Sequence, residues 1–529
     1  MLDFAPPNPD ALSDAVGIGC LVLTLLLVCV QVRRKRKAKA RAPHADALAA
    51  LLIWLSPEDV YTARMVTENV LVTGASGAGK TTGSGRSLAL ALLRTAKAGL
   101  LVCCAKADEV ALWEEYAAAT GRSADLRVIR PGGPWRFNPV SYELAREGTV
   151  SSAENVVGLL EAILECADRQ GGSGGARDDE AYWRRSTKQL IRNFVDLLIL
   201  ATGTVTIDAL YRAVISAPQS LDDVRSEHWR KSSFCFQLLS EADKRSKSTA
   251  QAQDFALVAD YVLCELPALA PKTRSVVVSC LTSQLDPMQR GELRSLFGAD
   301  TTVTPGDCEN GAIIVCGLPT QTYRETGVIA NAVLKYCWQR SMQGRRVTPD
   351  SRLICLWCDE FQTFVTPTHD AQFLATCRSS RVGCVLLTQG VPGVYAALGG
   401  GDKGRAEADA IFGNCALKVL HANSDVQTND WSSRLIGRTL QVRASGNHSH
   451  AADDQVSALL GLDWARENGT TSGGFSEVME AEIEPRAFTR LRTGGPDNNW
   501  TVDGIVFQNG RIFRASGRSW LPVSFNQKS

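Results

Sequence analysis

Gly74-Ala75-Ser76-Gly77-Ala78-Gly79-Lys80-Thr81 has the spacing of a phosphate-binding loop, with outer glycines at the fixed interval and a closing Lys-Thr pair. Glycines at such positions let backbone N–H groups turn toward phosphate oxygens without a side-chain clash, and the N-terminus of the following helix adds a favourable dipole. In that chemistry Lys80 reaches the β and γ phosphates, Thr81 offers its hydroxyl to magnesium, and Thr82 completes the loop. A glycine-rich turn can match the pattern by chance. The apolar run before the loop and the helical run after it argue against chance.

Hydrolysis also needs an acidic group at the tip of a neighbouring strand. Leu353-Ile-Cys-Leu-Trp-Cys358 reads as a buried strand, and Asp359-Glu360 follow it. Asp359 would hold magnesium directly or through water, and Glu360 would polarise the attacking water. Acidic residues also cap strand ends, so the pair gains its meaning from the phosphate loop. Downstream, the apolar run Gly383–Leu387 ends in Thr388-Gln389. The Gln389 amide would sense the γ-phosphate or orient the water; capping of the next turn is the alternative. Arg378 and Arg381 both qualify as arginine fingers for a neighbouring subunit, with a surface ion pair as the competing reading for each.

These groups need a scaffold, and the chain alternates accordingly. Asn69–Thr73, Leu100–Cys104 and Leu126–Ile129 read as strands, and Thr81–Leu93 and Asp108–Thr120 as helices. Such alternation indicates a parallel α/β sheet. Helical periodicity then takes over from about residue 151 to 286, in Val156–Cys166, Trp183–Leu200, Ile207–Ile215 and Ser248–Leu266, with Gly171–Gly175 as a loop. Strand patterns resume at Gly311–Cys316, Leu353–Cys358, Gly383–Leu387 and Ala416–Leu420. Gly399–Gly401 and Thr470–Gly474 read as loops, and Thr501–Phe507 with Arg511–Phe513 as a closing hairpin about Asn509-Gly510. The expected organisation is an α/β nucleotide-binding domain over 43–150 and 287–529, interrupted by an all-α domain over 151–286.

A chain of 529 residues is long enough for two or three domains. Its net charge of +1 conceals seven positive charges between Arg33 and Arg41, which leave the remainder at −6. A globally basic nucleic-acid coat is therefore excluded, although a local basic channel is not. The uncharged run Ala15–Val32 directly precedes that basic cluster, so a membrane span with residues 1–14 outside and the body in the cytoplasm is expected. Residues 1–42 then form an anchor with its basic juxtamembrane segment. Ala47–Leu55 is too short to span and should pack on the soluble body. The sixteen cysteines lie scattered in apolar runs, as buried thiols in a reducing compartment do. Cys355 and Cys358 have the spacing of a redox or zinc half-site, but their apolar strand and the lack of a second pair favour burial. Lys244, Arg245 and Lys247 form a basic cluster that could meet nucleic acid or simply solvate a helix.

Together these residues resemble the coupling proteins of type IV secretion and conjugation, the TraD/TraG-like ATPases, which are similar to the FtsK/HerA ring-shaped DNA translocases. The N-terminal anchor, Gly74–Thr82, Arg136-Phe-Asn-Pro139, the helical insertion, Asp359-Glu360-Phe361, the Arg378 to Gln389 segment and Leu491-Arg-Thr-Gly-Gly495 carry the resemblance. It implies a RecA-like P-loop domain with a parallel-rich central sheet, an inserted all-α domain and an N-terminal transmembrane helix. It further implies ATP and Mg²⁺ as cofactors and a homo-hexamer at the bacterial inner membrane. The cargo would be single-stranded DNA or a relaxase–DNA complex, passed to type IV secretion channel components. Its spacing raises Arg378 over Arg381 as the finger. Transport of protein effectors only, or a nucleotide-ordered membrane scaffold without motor activity, are the alternatives. Two departures stand out. Relatives usually carry two spans where this chain shows one, and Cys104 replaces an acidic residue ahead of the matching Lys106, with Asp108 retained.

Overall fold

A computed structural model describes residues 46–146, 152–170, 178–367, 369–450 and 469–528. The expected span at 15–32, the basic run at 33–41 and the Gly171–Gly175 loop lie outside the described residues. Among the described residues no single helix is long and apolar enough to cross a membrane.

Thirteen strands are described: β1 Leu51–Trp54, β2 Val60–Thr62, β3 Val70–Thr73, β4 Gly99–Cys103, β5 Leu126–Ile129, β6 Ile313–Cys316, β7 Ile354–Cys358, β8 Val382–Thr388, β9 Leu417–Leu420, β10 Arg438–His450, β11 Gly469–Ala481, β12 Thr501–Gln508 and β13 Trp520–Asn526. Nine of them build one sheet in the order β13-β12-β9-β3-β8-β7-β4-β6-β5. The seven strands from β9 to β5 run parallel, and β12 and β13 add antiparallel at the β9 edge. Parallel strands are covered on both faces, which is why β3, β4, β6, β7 and β8 are continuous runs of buried residues.

The two-residue period of a strand sorts those side chains into two cores. Leu71, Leu101, Ile314, Leu356 and Leu386 pack on one face with Val156, Phe194 and Trp338 from the helices Ser152–Gln170, Asp178–Thr202 and Thr320–Gln343. Val70, Val102, Trp357 and Val385 pack on the other with Leu92 and Trp113 from the helices Arg86–Arg94 and Glu109–Ala119. Each buried Val, Leu or Ile contributes about 1.5–3 kcal/mol relative to exposure, so the sheet is a rigid platform for whatever its strand ends carry. Ala47–Leu55 supplies β1, and its Leu52 and Leu55 join the second core as expected of a packing segment.

Between β5 and β6 the elements described from Ser152 to Phe297 are all helices. The helix Asp178–Thr202 is central there, with Leu190, Phe194 and Leu197 fully buried.

Two expectations are corrected. Thr470–Gly474 is not a loop; it lies in β11, paired along its length with β10 from Arg438↔Ala481 to His450↔Gly469. Small residues face one another there, Gly446 opposite Gly473 and Ser445 opposite Gly474, so the ladder overrides their turn preference. The closing hairpin also differs, because its second arm is Trp520–Asn526 and Arg511–Phe513 is not a strand. Asp59 explains the delay: its carboxylate accepts the N–H groups of Arg514 and Ala515 at 2.9 and 3.0 Å, and Arg511 donates to Val60 O at 3.0 Å. The segment is thereby tied to the β1–β2 turn before the chain returns.

Candidate active site

In parallel sheets ligands gather at the carboxyl ends of the strands, and the sequence-derived residues meet there. β3 ends at Thr73 opposite Thr388, whereas β7 ends at Cys358 opposite both Leu386 and Cys103. Strand β8 thus lies between the strand that feeds the glycine loop and the strand that ends in Asp359-Glu360.

The loop Gly74–Thr82 leaves β3 and enters a helix whose first turn is π-helical over Thr81–Gly85, with Gly85 N–H donating to Lys80 O at 2.8 Å. Single π turns recur at functional sites. A side chain at Gly85 would meet that same Lys80 oxygen at 2.7 Å, so the turn requires glycine. Gly77 and Gly79 take φ of 75° and 81°, the left-handed region that glycine enters without strain. Within the loop Ala78 N–H closes on Ala75 O at 3.1 Å, and Ala75 N–H reaches Ala422 O at 2.9 Å. Ser76 and Gly77 stand exposed at its crest.

Lys80 is only 5% exposed. Burial pulls its ammonium below the ordinary lysine range, partly offset by the nearby carboxylates of Glu360 and Asp359. Thr81 donates its hydroxyl to Asp359 Oδ2 at 2.6 Å. Asp359 Oδ1 accepts the Glu360 N–H at 2.9 Å. Glu360 itself adopts φ 53°, an unfavourable conformation for a residue with a side chain, which turns its buried carboxylate across the strand ends. There Lys106 Nζ lies 2.7 Å from Oε1, while Gln362 and Gln389 donate to Oε2 at 2.7 and 3.1 Å. Burial works to raise the Glu360 carboxyl, but Lys106, Gln362 and Lys80 outweigh it and hold it below its ordinary value.

Several members of this cluster were not read from the sequence as part of it. Gln362 bridges Glu360 to Thr388, which donates to Gln362 Oε1 at 2.8 Å. Glu109 accepts Ala105 N–H at 2.8 Å on one oxygen, and its other oxygen is buried without a partner in a small pocket shared with Thr81 and Asp359. Burial, and then the charge of Asp359, push its carboxyl up to about 8. His421, one residue past β9, is buried between Ser84 Oγ at 2.7 Å and Asp503 O at 2.8 Å, braced behind the glycine loop. Only position hinted at these residues: each lies within a few residues of a strand's carboxyl end.

The two arginines part company. Arg381 is locked in place, donating to Pro349 O and Ser351 O at 2.9 Å each. Arg378 has a side chain 66% exposed and pairs with Glu68 at 2.9 Å. It precedes β8, so it sits at the end of the sheet opposite Gln389, about 20 Å away along a seven-residue strand. It cannot serve its own chain's loop. Lys244 ends the helix Phe234–Lys244 and pairs with Glu241 at 2.8 Å, and Lys247, in the link to the helix Thr249–Asp260, covers the Phe255 ring at 4.7 Å, so the cluster lies at a helix end rather than along a helix face. Cys355 and Cys358 fall in opposite cores, so they cannot converge on one metal or disulfide. Among the described residues no group of three or more His, Cys, Asp or Glu side chains could hold a metal ion. Cys104 is buried with its N–H on Asn331 Oδ1 at 3.1 Å.

The whole architecture has solved counterparts. A structure of the bacterial conjugative coupling protein TrwBΔN70 matches with a TM-score of 0.55 at 14% identity, over 90% of this chain and 92% of that one. The fold is that of a conjugative coupling protein. The plasmid coupling protein TrwB in complex with ADP and Mg²⁺ matches with a TM-score of 0.54 at 14% identity, over 89% of this chain and 87% of that one. Its complex with a non-hydrolysable ATP analogue matches at 0.53, again at 14% identity, over 88% and 87%. Residues 354–476 match the family model TraG-D_C, described as the TraM recognition site of TraD and TraG. That stretch of the coupling-protein fold runs from β7 into β11 and includes Asp359, Glu360, Arg378 and Gln389. No curated protein matches the sequence.

Proposed function

We propose that this chain is an ATP-hydrolysing coupling protein that drives single-stranded DNA, or a relaxase–DNA complex, toward a type IV secretion channel. The observation that carries the proposal is the meeting of Thr81 Oγ1 and Asp359 Oδ2 at 2.6 Å, with the buried Lys80 ammonium beside them. The likeness to TrwB, whose structures hold ADP with Mg²⁺ and an ATP analogue, supports the same reading.

The residues fit a magnesium nucleotide. Thr81 Oγ1 and Asp359 Oδ2, 2.6 Å apart, with the partnerless buried oxygen of Glu109 in the adjoining pocket, suit a small cation that keeps its waters and takes the rest of its shell from phosphates. Thr81 would hold the ion directly and Asp359 directly or through water. When bound, Mg²⁺ neutralises charge on the β and γ phosphates and orients them. The chain does the rest. Backbone N–H groups of Gly74–Thr82 bind the phosphates, and Lys80 offsets their charge. Glu360, ionised at neutral pH, accepts the proton of the attacking water, and Gln389 and Gln362 hold its carboxylate in line.

Arg378 would act in trans, reaching the phosphates of a neighbouring subunit in a homo-hexamer, because its own loop is out of reach. Residues 15–32 would anchor the ring in the bacterial inner membrane with the catalytic body in the cytoplasm. The nucleotide-binding domain would comprise 43–150 and 287–529, and the all-α domain 151–286 would receive cargo. Comparing Mg-dependent ATP turnover of the wild type with Thr81→Ala and Asp359→Asn tests the carrying observation. Both substitutions should lower turnover by about 10²-fold or more; wild-type turnover in either would remove the Thr81–Asp359 pair from the site.

A further inference from the structure

The C-terminal segment forms a wall beside the glycine loop that the phosphate chemistry leaves unexplained. A cleft of about 440 Å³ is bounded on one side by Gly77, Lys80 and Thr82, and on the other by Gly495, Trp500 and Gln527. The two sides are held in register. Val502 at the start of β12 stands so close to Gly79 and Gly83 that a side chain at Gly79 would meet it at 2.4 Å. Gln527 Nε2 donates to Thr82 Oγ1 at 2.6 Å, and its Oε1 accepts the Gly495 N–H at 2.8 Å. These two bonds fix which end of the carboxamide is which and leave one N–H of Gln527 to donate.

Trp500 is fixed in this wall by its backbone. It follows Asn499 in a second consecutive left-handed residue, with φ of 59° after 51°, conformations that side-chain-bearing residues rarely take. Backbone bonds hold it on both sides: its N–H donates to Gly495 O at 2.7 Å and its O accepts from Gln527 N–H at 2.9 Å. The indole nevertheless remains 37% exposed and lines the cleft. Lys528 covers the ring at 4.3 Å, which occupies one of its two faces.

We infer that Trp500 and Gln527 form the nucleobase end of this cleft, a subsite for the purine ring of a nucleoside triphosphate. The inference rests on the reading of Gly74–Thr82 as the phosphate site. Phosphates held at Lys80 and Thr81 place the nucleoside beyond Thr82, where Gln527 stands. A flat aromatic surface with a neighbouring amide donor is the chemistry that binds a base by stacking. Stacking grows with ring area, so ATP and GTP are favoured over CTP, with little distinction between the two purines.

Equilibrium binding of ATP, GTP, CTP and inorganic tripolyphosphate to the full chain, with tryptophan fluorescence as a second readout, tests this. Trp500→Ala should weaken ATP by about tenfold, the lower range for loss of one base stack, and leave tripolyphosphate unchanged. Trp500→Phe should keep most of the ATP affinity but lose the quenching that ATP, and not tripolyphosphate, causes in the wild type. Equal loss of ATP and tripolyphosphate in Trp500→Ala, or no loss of either, overturns the subsite while leaving the phosphate site standing. The subsite is also overturned if Trp500→Ala misfolds and ATP fails to quench the wild type. If the wild type binds neither ligand, the phosphate-site reading falls and the subsite with it.

Discussion

Lys106 Nζ lies 2.7 Å from Glu360 Oε1 and joins the end of β4 to the end of β7 across one inter-strand step. With Gln362 and Gln389 on Oε2, both oxygens of the proposed general base are engaged. Lys106 therefore both keeps Glu360 ionised and occupies an oxygen that water must reach. In Lys106→Met the carboxylate loses its cation, burial dominates, and the Glu360 pKa rises. Turnover needs the ionised form, so the acid limb of the kcat–pH profile should move to higher pH. An unmoved limb would detach Lys106 from the base.

Arg378→Ala should leave nucleotide binding by isolated subunits intact. Its loss should lower the hydrolysis that depends on assembly by about 10³-fold, the scale of an arginine finger supplied in trans. Mixed rings should lose activity in proportion to the mutant share. The Glu68 partner is a surface pair, so stability should change by less than about 1 kcal/mol. Normal turnover in fully mutant rings would end the trans assignment.

His421 predicts a pH dependence of stability rather than of turnover. Burial pulls its pKa down to about 4, against about 6.5 when unfolded. The neutral ring is favoured in the folded state, so its contribution is full above pH 6.5 and is lost as pH falls from there toward 4. The loss reaches about 3 kcal/mol at most. His421→Gln should flatten that part of the stability profile measured by denaturant titration. A wild-type slope in the mutant would assign the acid sensitivity elsewhere.

Strands β3, β4, β6, β7 and β8 were legible in the sequence because each is buried on both faces and therefore reads as an apolar run. Gly74–Thr81 and Asp359-Glu360 were legible because phosphate and metal chemistry admit few residue types at fixed spacing. Glu109, Gln362 and His421 were not, since their meaning comes from which strands lie side by side, and the β9-β3-β8-β7-β4 order is a long-range fact. The two corrected elements failed for related reasons. Small-residue composition at Thr470–Gly474 reads as a turn until a thirteen-pair ladder claims it, and the Asn509-Gly510 turn gives no warning that Asp59 holds the next residues away from the sheet.

A DNA-driven motor is tested most directly by steady-state ATP hydrolysis of the full chain, titrated with single-stranded DNA at low and at raised salt, with Glu360→Gln alongside. DNA should raise turnover at low salt, and the stimulation should fade as salt weakens backbone contacts. In Glu360→Gln, ATP binding should persist while turnover falls by about 10²-fold or more. Hydrolysis indifferent to DNA at low salt, or undiminished in Glu360→Gln, would contradict a motor built on this site.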